Sequence, residues 1–129
     1  MKKIFISSDH AGFKLKETIK DYLSNKKIKF EDLGPMTDSS VDYPDYAHKV
    51  AKKVKLNRRN VGILVCGSGT GMNIAANKHK NVRAAQCFNL KSTKLSRLHN
   101  DANIITLGSR LITKKKCFEI YKCFFKHKI

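Results

Sequence analysis

The stretch that decides the fold is Val61–Lys80, which reads VGILVCGSGTGMNIAANKHK. Its first five residues, Val61–Val65, are apolar and mostly β-branched, a pattern typical of a buried parallel strand. Glycine then occupies every second position of residues 67–71, so the backbone can turn sharply and approach a ligand closely. Residues 72–76 favour a helix, and the first amides of such a helix suit a phosphate or an oxyanion. This order of elements predicts a ligand site at the carboxyl end of the strand.

Cys66 stands between the predicted strand and the glycine loop. A thiol near the positive end of a helix dipole ionises more easily and can act as a base or nucleophile. A cysteine that follows an apolar strand can also be an inert core residue. Its direct junction with the glycine loop favours a functional role.

Short apolar strands alternate with amphipathic helices along the rest of the chain. The predicted strands are Lys3–Ser7, Ile28–Leu33, Val61–Val65, Ala84–Phe88 and Ile104–Leu107. The predicted helices cover residues 13–23, 44–54, 72–76, 90–99 and 114–125. Five such repeats imply an α/β fold with a five-stranded parallel sheet, helices on both faces and right-handed crossovers. A chain of 129 residues fits one domain, which we place at residues 1–129.

Polar motifs follow the first, third and fifth predicted strands. They are Asp9-His10, the loop that begins at Cys66, and Gly108-Ser109-Arg110. The carboxyl ends of parallel strands lie at one edge of a sheet, so we expect these motifs to form one site.

The glycine loop does not match the common nucleotide-binding patterns. A Walker loop needs Gly-Lys-Ser/Thr, which the sequence lacks. A dinucleotide fingerprint would have glycine where Met72 stands, and an acidic residue near Gln86–Phe88. We therefore expect neither ATP nor NAD to bind here.

Basic residues outnumber acidic ones by 27 to 10, which gives a formal charge of +17. The excess is spread along the chain, and its longest run is Lys114–Lys116. We interpret it as solvated surface that can concentrate phosphorylated substrates rather than as a nucleic-acid face. No apolar run approaches the roughly 20 residues that span a bilayer, so we expect no membrane partner.

The cysteines and the N-terminus indicate the compartment. None of the four cysteines forms a C-x-x-C pair, so we expect free thiols and no zinc site. The apolar run after Lys3 is too short for a signal peptide, and we expect a cytoplasmic protein.

Six blocks of the sequence carry a specific resemblance to a known family. They are Ser8-Asp9-His10-Ala11-Gly12, Asp42-Tyr43-Pro44, Cys66-Gly67-Ser68-Gly69-Thr70-Gly71, Ile74-Ala75-Ala76-Asn77-Lys78, Arg97-Leu98-His99-Asn100-Asp101-Ala102-Asn103 and Leu107-Gly108-Ser109-Arg110. With these blocks the chain resembles ribose-5-phosphate isomerase type B, whose family also contains galactose-6-phosphate isomerase subunits. The resemblance implies a three-layer Rossmann-like fold, a homodimer that can pair into a tetramer, and no metal or organic cofactor.

The resemblance also implies a reaction and its residues. An aldose phosphate and its ketose isomer share a cis-enediolate, which needs a base, an oxyanion site and a phosphate clamp. By resemblance, Cys66 is the base, Ser68 assists proton movement between the substrate oxygens, and His99 opens the furanose ring. The implied binding residues are Asp9, Tyr43 and Asn100 for sugar hydroxyls, His10 and Arg110 for the phosphate, and the backbone of Gly67, Gly69, Thr70, Gly71 and Met72 for the enediolate. The resemblance places His99, Asn100 and Arg110 in the site of a second subunit, so that the dimer is the catalytic unit.

Two features depart from the family pattern. Some relatives use a glutamate after the glycine loop as the base, whereas this chain has Ala75 in that region. The family also has phosphate-binding arginines in its C-terminal segment. The basic residues of this sequence there are Lys126, His127 and Lys128, and a lysine lacks the bidentate fork of an arginine.

These features predict an isomerase of ribose 5-phosphate and ribulose 5-phosphate in the non-oxidative pentose phosphate pathway. An isomerase of hexose 6-phosphates, of the allose or galactose type, is an alternative because pocket depth cannot be read from the sequence. A non-catalytic sugar-phosphate-binding subunit is a second alternative. A nucleic-acid-binding module would have only the net charge in its favour.

Overall fold

Strands and helices alternate through the computed structural model, which describes residues 2–127. The strands are β1 (Lys3–Ser8), β2 (Glu31–Asp32), β3 (Asn60–Cys66), β4 (Ala84–Gln86) and β5 (Ile104–Gly108). The helices are α1 (Phe13–Asn25), α2 (Tyr43–Val54), α3 (Thr70–Ala76), α4 (Leu90–Leu98) and α5 (Lys114–Lys126). This confirms the predicted α/β architecture. Among residues 2–127, none of the helices combines the length and the apolar character needed to cross a bilayer.

The five strands form one parallel sheet in the order β2-β1-β3-β5-β4. β3 lies at its centre, and all seven of its residues are buried. Burial on both faces explains why this strand reads as a continuous apolar run in the sequence. The predicted central stretch is therefore the central strand of the fold.

Successive side chains of β3 point to opposite faces of the sheet. Ile63 and Val65 join the core beneath α1 and α5, whereas Leu64 and Cys66 join the core beneath α2 and α3. Helix α4 packs against α5. Helices thus cover both faces, as the predicted three-layer arrangement requires.

The outer strands are shorter than the sequence predicts. Of the predicted strand Ile28–Leu33, only Glu31 and Asp32 pair with β1. Ile28 and Phe30 still pack partly buried against the core, so the apolar pattern reports packing rather than strand pairing. β4 ends at Gln86 rather than at Phe88, and the chain turns into α4 at Asn89, whose side chain accepts a hydrogen bond from the amide of Ser92.

Helix α4 packs through its polar side. Thr93, Ser96 and Arg97 are buried, whereas Leu90 and Leu95 remain 42% and 38% exposed. Arg97 explains part of this packing, since its guanidinium lies 4.5 Å from the ring centroid of Phe124 on α5. Leu90 and Leu95 therefore face away from the chain's own core.

Candidate active site

A cavity of about 360 Å³ opens at the carboxyl edge of the sheet. Its lining residues are Asp9, His10, Ala11, Tyr43, Cys66, Gly67, Ser68, Arg110 and Leu111. They come from the loops after β1, β3 and β5 and from the first residue of α2. The structure thus brings the three predicted motifs together at one edge.

Three consecutive carbonyls of the glycine loop, those of residues 66–68, accept hydrogen bonds from neighbouring strands and loops. Their donors are the amide of Ser109 at 2.8 Å, the amide of Arg110 at 3.0 Å and Nε2 of Gln86 at 2.9 Å. In a trans peptide the carbonyl and the next N–H point in opposite directions. Each amide of residues 67–69 therefore points away from the donor bound to its own peptide, and that of Gly69 points at Cys66.

Cys66 Sγ accepts a hydrogen bond from the amide of Gly69 at 3.1 Å. Gly69 has a φ of +82°, in the left-handed region that favours glycine, so the chain turns sharply just after this amide. An N–H that points at sulfur stabilises negative charge there. The cysteine side chain is only 5% exposed, and it lines the cavity.

The other three cysteines lie in surroundings that oppose ionisation. Burial raises the pKa of Cys87 above its ordinary value and that of Cys117 to about 12. Burial likewise raises the pKa of Cys123. All four cysteines are free thiols, and Cys66 is the one that lines the cavity.

Asp9 and His10 occupy the loop between β1 and α1. Oδ1 of Asp9 accepts a hydrogen bond from the amide of Gly12 at 2.9 Å, which fixes the carboxylate at the start of the helix. Nδ1 of His10 accepts a hydrogen bond from the amide of Val41 at 3.3 Å. Because Nδ1 is the acceptor, Nε2 carries the ring hydrogen and can donate it to an anion.

Tyr43 and Arg110 pack directly on the glycine loop. A Cβ at Gly71 would lie 2.9 Å from Cε1 of Tyr43, and a Cβ at Gly67 would lie 2.7 Å from Nη1 of Arg110. Glycine at these positions lets both side chains reach the loop backbone. Arg110 therefore lines the cavity of its own chain, which differs from the second-subunit origin that the resemblance implies.

The other predicted residues of the glycine loop are Ser68, Thr70 and Met72. Oγ of Ser68 accepts a hydrogen bond from the amide of Thr70 at 3.2 Å. Oγ1 of Thr70 accepts one from Nε2 of Gln86 at 2.9 Å. Met72 is fully buried in the core and does not line the cavity.

His99 and Asn100 do not lie in the cavity of their own chain. His99 caps the C-terminus of α4, where its amide donates to the carbonyl of Leu95 at 2.8 Å. The chain then enters β5 at Ile104, so both residues lie at the amino edge of the sheet. The length of β5 alone separates the two edges by about 13 Å.

The basic C-terminal residues lie at that same amino edge. The carbonyl of His127 accepts a hydrogen bond from Nε of Arg97 at 2.8 Å, which ties the end of α5 to the end of α4. Lys126 is exposed on the last turn of α5, and Lys128 lies outside the described residues. His99, Asn100, Lys126 and His127 therefore form a set remote from Cys66 in the same chain.

Sequence reasoning missed Gln86, which holds the glycine loop from β4 through two hydrogen bonds. The available signal was a polar residue after two alanines at the end of a short strand. Within residues 2–127, the structure places no three His, Cys, Asp or Glu side chains together as a metal site.

Known proteins are similar to this chain in sequence. A family model described as Ribose/Galactose Isomerase matches residues 4–129. A protein of Mycoplasma genitalium named probable ribose-5-phosphate isomerase B is 45% identical over 125 residues, which cover 95% of this chain and 82% of that protein.

Two solved structures are also closely similar. Ribose-5-phosphate isomerase B of Clostridium thermocellum has a TM-score of 0.95 and 42% identity, covering 98% of this chain and 86% of that one. The enzyme of Mycoplasma genitalium with bound ribulose-5-phosphate has a TM-score of 0.93 and 43% identity, with coverages of 98% and 85%.

Proposed function

Because the chain belongs to the ribose/galactose isomerase family, we propose that it interconverts ribose 5-phosphate and ribulose 5-phosphate. The observation that carries this proposal is the cavity at Cys66, in a fold that closely matches an isomerase solved with ribulose-5-phosphate. The reaction would belong to the non-oxidative pentose phosphate pathway in the cytoplasm. We propose that residues 1–129 act as one domain and that the reaction uses no cofactor.

Proton transfer at carbon is the task of Cys66. Its thiolate removes the proton from C2 of the open-chain aldose, and the electron pair moves toward the C1 carbonyl to form a cis-enediolate. The thiol then returns the proton to C1, which gives the ketose. The hydrogen bond from the Gly69 amide supports this role because it stabilises negative charge on sulfur between turnovers.

The substrate oxygens face the glycine loop. The amides of Gly67 and Ser68, which line the cavity, would stabilise the oxyanion, while the Gly69 amide donates to the sulfur. The family resemblance would add the backbone of Thr70, Gly71 and Met72 to this set, although Met72 is buried here. The isomerisation also moves a hydroxyl proton from O2 to O1, and the exposed Ser68 hydroxyl is placed to assist that transfer.

The remaining cavity residues suit the two ends of a sugar phosphate. His10 offers its Nε2 hydrogen and Arg110 its guanidinium to the phosphate, and both have their places fixed by contacts with the surrounding backbone. Asp9 and Tyr43 line the same cavity, where they would hold sugar hydroxyls.

A second subunit would supply His99 for ring opening and Asn100 for a sugar hydroxyl. Both residues lie at the sheet edge opposite to Cys66 of their own chain, and this separation supports an origin in a second subunit. The exposed apolar residues Phe88, Leu90 and Leu95 on and before α4 support a homodimer near that helix. Two such dimers could pair into a tetramer, and Lys126 and His127 would accompany His99 into the partner's site.

Isomerisation of hexose 6-phosphates is the second candidate, favoured by the inclusion of galactose in the description of the family. A sugar-phosphate-binding subunit without activity is the non-catalytic alternative.

The direct test is to incubate the purified protein with ribose 5-phosphate and to measure ribulose 5-phosphate formation. Allose 6-phosphate and galactose 6-phosphate serve as parallel substrates. We expect the pentose phosphate to give the highest kcat/KM. A higher value for either hexose phosphate would replace the proposed substrate, and binding without turnover of all three would favour the non-catalytic alternative.

A further inference from the structure

Gln86 stands at the end of β4, one strand beyond β5 from the candidate base. Its Nε2 donates one hydrogen bond to the Ser68 carbonyl and another to Oγ1 of Thr70, both at 2.9 Å. A carbonyl oxygen only accepts hydrogen bonds, so the amide nitrogen of Gln86 must be the atom that faces it. The orientation of the side-chain amide is thus determined by its partner.

The carbonyl of Ser68 and the amide of Gly69 belong to the same peptide plane. At one end of this plane the oxygen accepts from Gln86, and at the other end the N–H donates to Cys66 Sγ at 3.1 Å. Because the plane is rigid, the bond at the oxygen determines where the N–H points. Two hydrogen bonds in series through one peptide group also polarise each other in the same direction.

We propose that Gln86 is a positioning residue that orients the Ser68–Gly69 peptide so that its N–H stabilises the Cys66 thiolate. This rests on the proposed function in one respect, the assignment of Cys66 as the base. Gln86 acts on the chemistry only through this peptide and needs no contact with the sugar.

The Ser68–Gly69 peptide has a particular need for such a side chain. The two preceding carbonyls of the loop are held by backbone amides of the segment after β5, whereas this third carbonyl is held by the Gln86 side chain. A glycine on its C-terminal side also permits rotation of the peptide plane at little steric cost. Without Gln86, this peptide can turn its N–H away from the sulfur.

Two variants separate positioning from packing. Gln86→Leu keeps the side-chain bulk and removes the donor, whereas Gln86→Glu keeps the shape and places a carboxylate oxygen against the Ser68 carbonyl. The first readout is the rate at which iodoacetamide alkylates Cys66 at pH 7, followed by peptide mass spectrometry. Cys123 serves as the internal control because it is partly exposed and has a raised pKa.

We expect Cys66 alkylation to be about tenfold slower in Gln86→Leu and slower still in Gln86→Glu, the size of effect that one lost hydrogen bond gives. The rate at Cys123 and the urea midpoint should not change. The kcat for ribose 5-phosphate should fall in the same order, with KM within about twofold of the wild type.

Equal Cys66 alkylation rates in all three proteins would overturn the proposal. So would a Gln86→Glu protein that reacts as fast as the wild type, because a carboxylate at pH 7 cannot donate to the Ser68 carbonyl. Alkylation needs no substrate, so an inactive wild type would refute the isomerase assignment without affecting this test.

Discussion

The amide of Gly69 donates a hydrogen bond to Sγ of Cys66 across 3.1 Å, although the two residues are three apart in the sequence. The contact lies in a tight loop, and Gly69 itself has a φ of +82°, a left-handed conformation that favours glycine. A thiol and an oriented amide are thereby joined at the carboxyl edge of the sheet.

Replacing Cys66 with alanine should lower kcat for ribose 5-phosphate by at least about 100-fold, the lower limit for loss of a positioned base. Binding of ribitol 5-phosphate, which cannot isomerise, should change less than about threefold when measured by calorimetry, since the sulfur contacts the carbon-bound proton rather than the phosphate. Cys123→Ala is the matched control and should retain full activity. Near wild-type turnover in Cys66→Ala would remove the thiol from the mechanism.

Subunit mixing should restore activity to two inactive variants, Cys66→Ala and His99→Ala. Half of randomly mixed dimers are heterodimers, and each heterodimer contains one complete site out of two. The mixture should therefore reach about a quarter of wild-type activity after unfolding and joint refolding.

Each variant refolded alone is the control for this experiment and should remain inactive. Mass spectrometry of the intact dimers reports whether heterodimers have formed. If they have formed and activity does not return, His99 does not serve a partner's Cys66.

Asp32 and Lys16 form a buried ion pair between β2 and α1, and its contribution to folding stability should be lost in acid. Nζ of Lys16 is fully buried and lies 2.9 and 2.8 Å from the two carboxylate oxygens. Burial alone would raise the pKa of Asp32, but hydrogen bonds from Lys16 and Lys20 outweigh it and lower that pKa below 3.8. A carboxyl with a lowered pKa stabilises the fold above its ordinary pKa, and this contribution is lost as the pH falls through the folded value.

Asp32→Asn should therefore lower the free energy of unfolding by about 3 kcal/mol at pH 7, because it leaves the buried Lys16 ammonium with only the more distant carboxylate of Glu17, at 3.4 Å, as a charged partner. The difference in the free energy of unfolding between variant and wild type should be constant between pH 5 and 7 and should shrink below about pH 4. Urea unfolding at pH 7, 5 and 3 measures both. Asp38→Asn, at an exposed carboxyl, should show neither effect, and a difference independent of pH would contradict the ion-pair explanation.

The contact between His48 and His79 should make the folded protein less stable in mild acid. Nδ1 of His48 lies 2.7 Å from Nε2 of His79, and they join α2 to the segment after α3. Burial lowers the pKa of His79, and the charges of His48, Lys55 and Lys52 lower it further. The unfolded chain takes up a proton below about pH 6.5 while folded His79 resists it, so stability decreases as the pH falls from about 7 to 5.

His79→Gln should flatten this pH dependence, because glutamine does not titrate and can still hydrogen-bond His48. Thermal unfolding midpoints at pH 8, 7, 6 and 5 measure the slope. The two proteins should differ least at pH 8, where the imidazole at position 79 is neutral in both the folded and the unfolded chain. A slope as steep in the variant as in the wild type would show that other groups cause the loss of stability.

Much of the fold and the cavity could be predicted from local pattern. Val61–Val65 is apolar because both faces of β3 are buried, and the motifs after β1, β3 and β5 meet because parallel strands end at one edge. Strand limits were less accurate where packing and pairing diverge, as at Ile28 and Phe30, which pack against the core without joining β2.

Contacts between residues that are far apart in the sequence could not be predicted. The side-chain bonds of Gln86 to the glycine loop depend on β4 lying beside β5, which no local pattern reports. Arg110 reaches its own chain's cavity because the backbone of Gly67 leaves room for its guanidinium. The burial of Arg97 on α4 depends on Phe124 and His127 of α5, so the polar side of that helix becomes its packed side.

The carbonyls of residues 66–68, each held by a different donor, also limit how this loop can change over evolution or in the laboratory. Exchanging the side chain of Ser68 or Thr70 leaves every backbone oxygen in place. Inserting or deleting a single residue shifts all the later oxygens past their donors and reverses the direction of the amides. The loop backbone therefore withstands side-chain changes at positions 68 and 70 better than changes of length. Libraries aimed at new sugar phosphates should keep its residue count and its three glycines fixed.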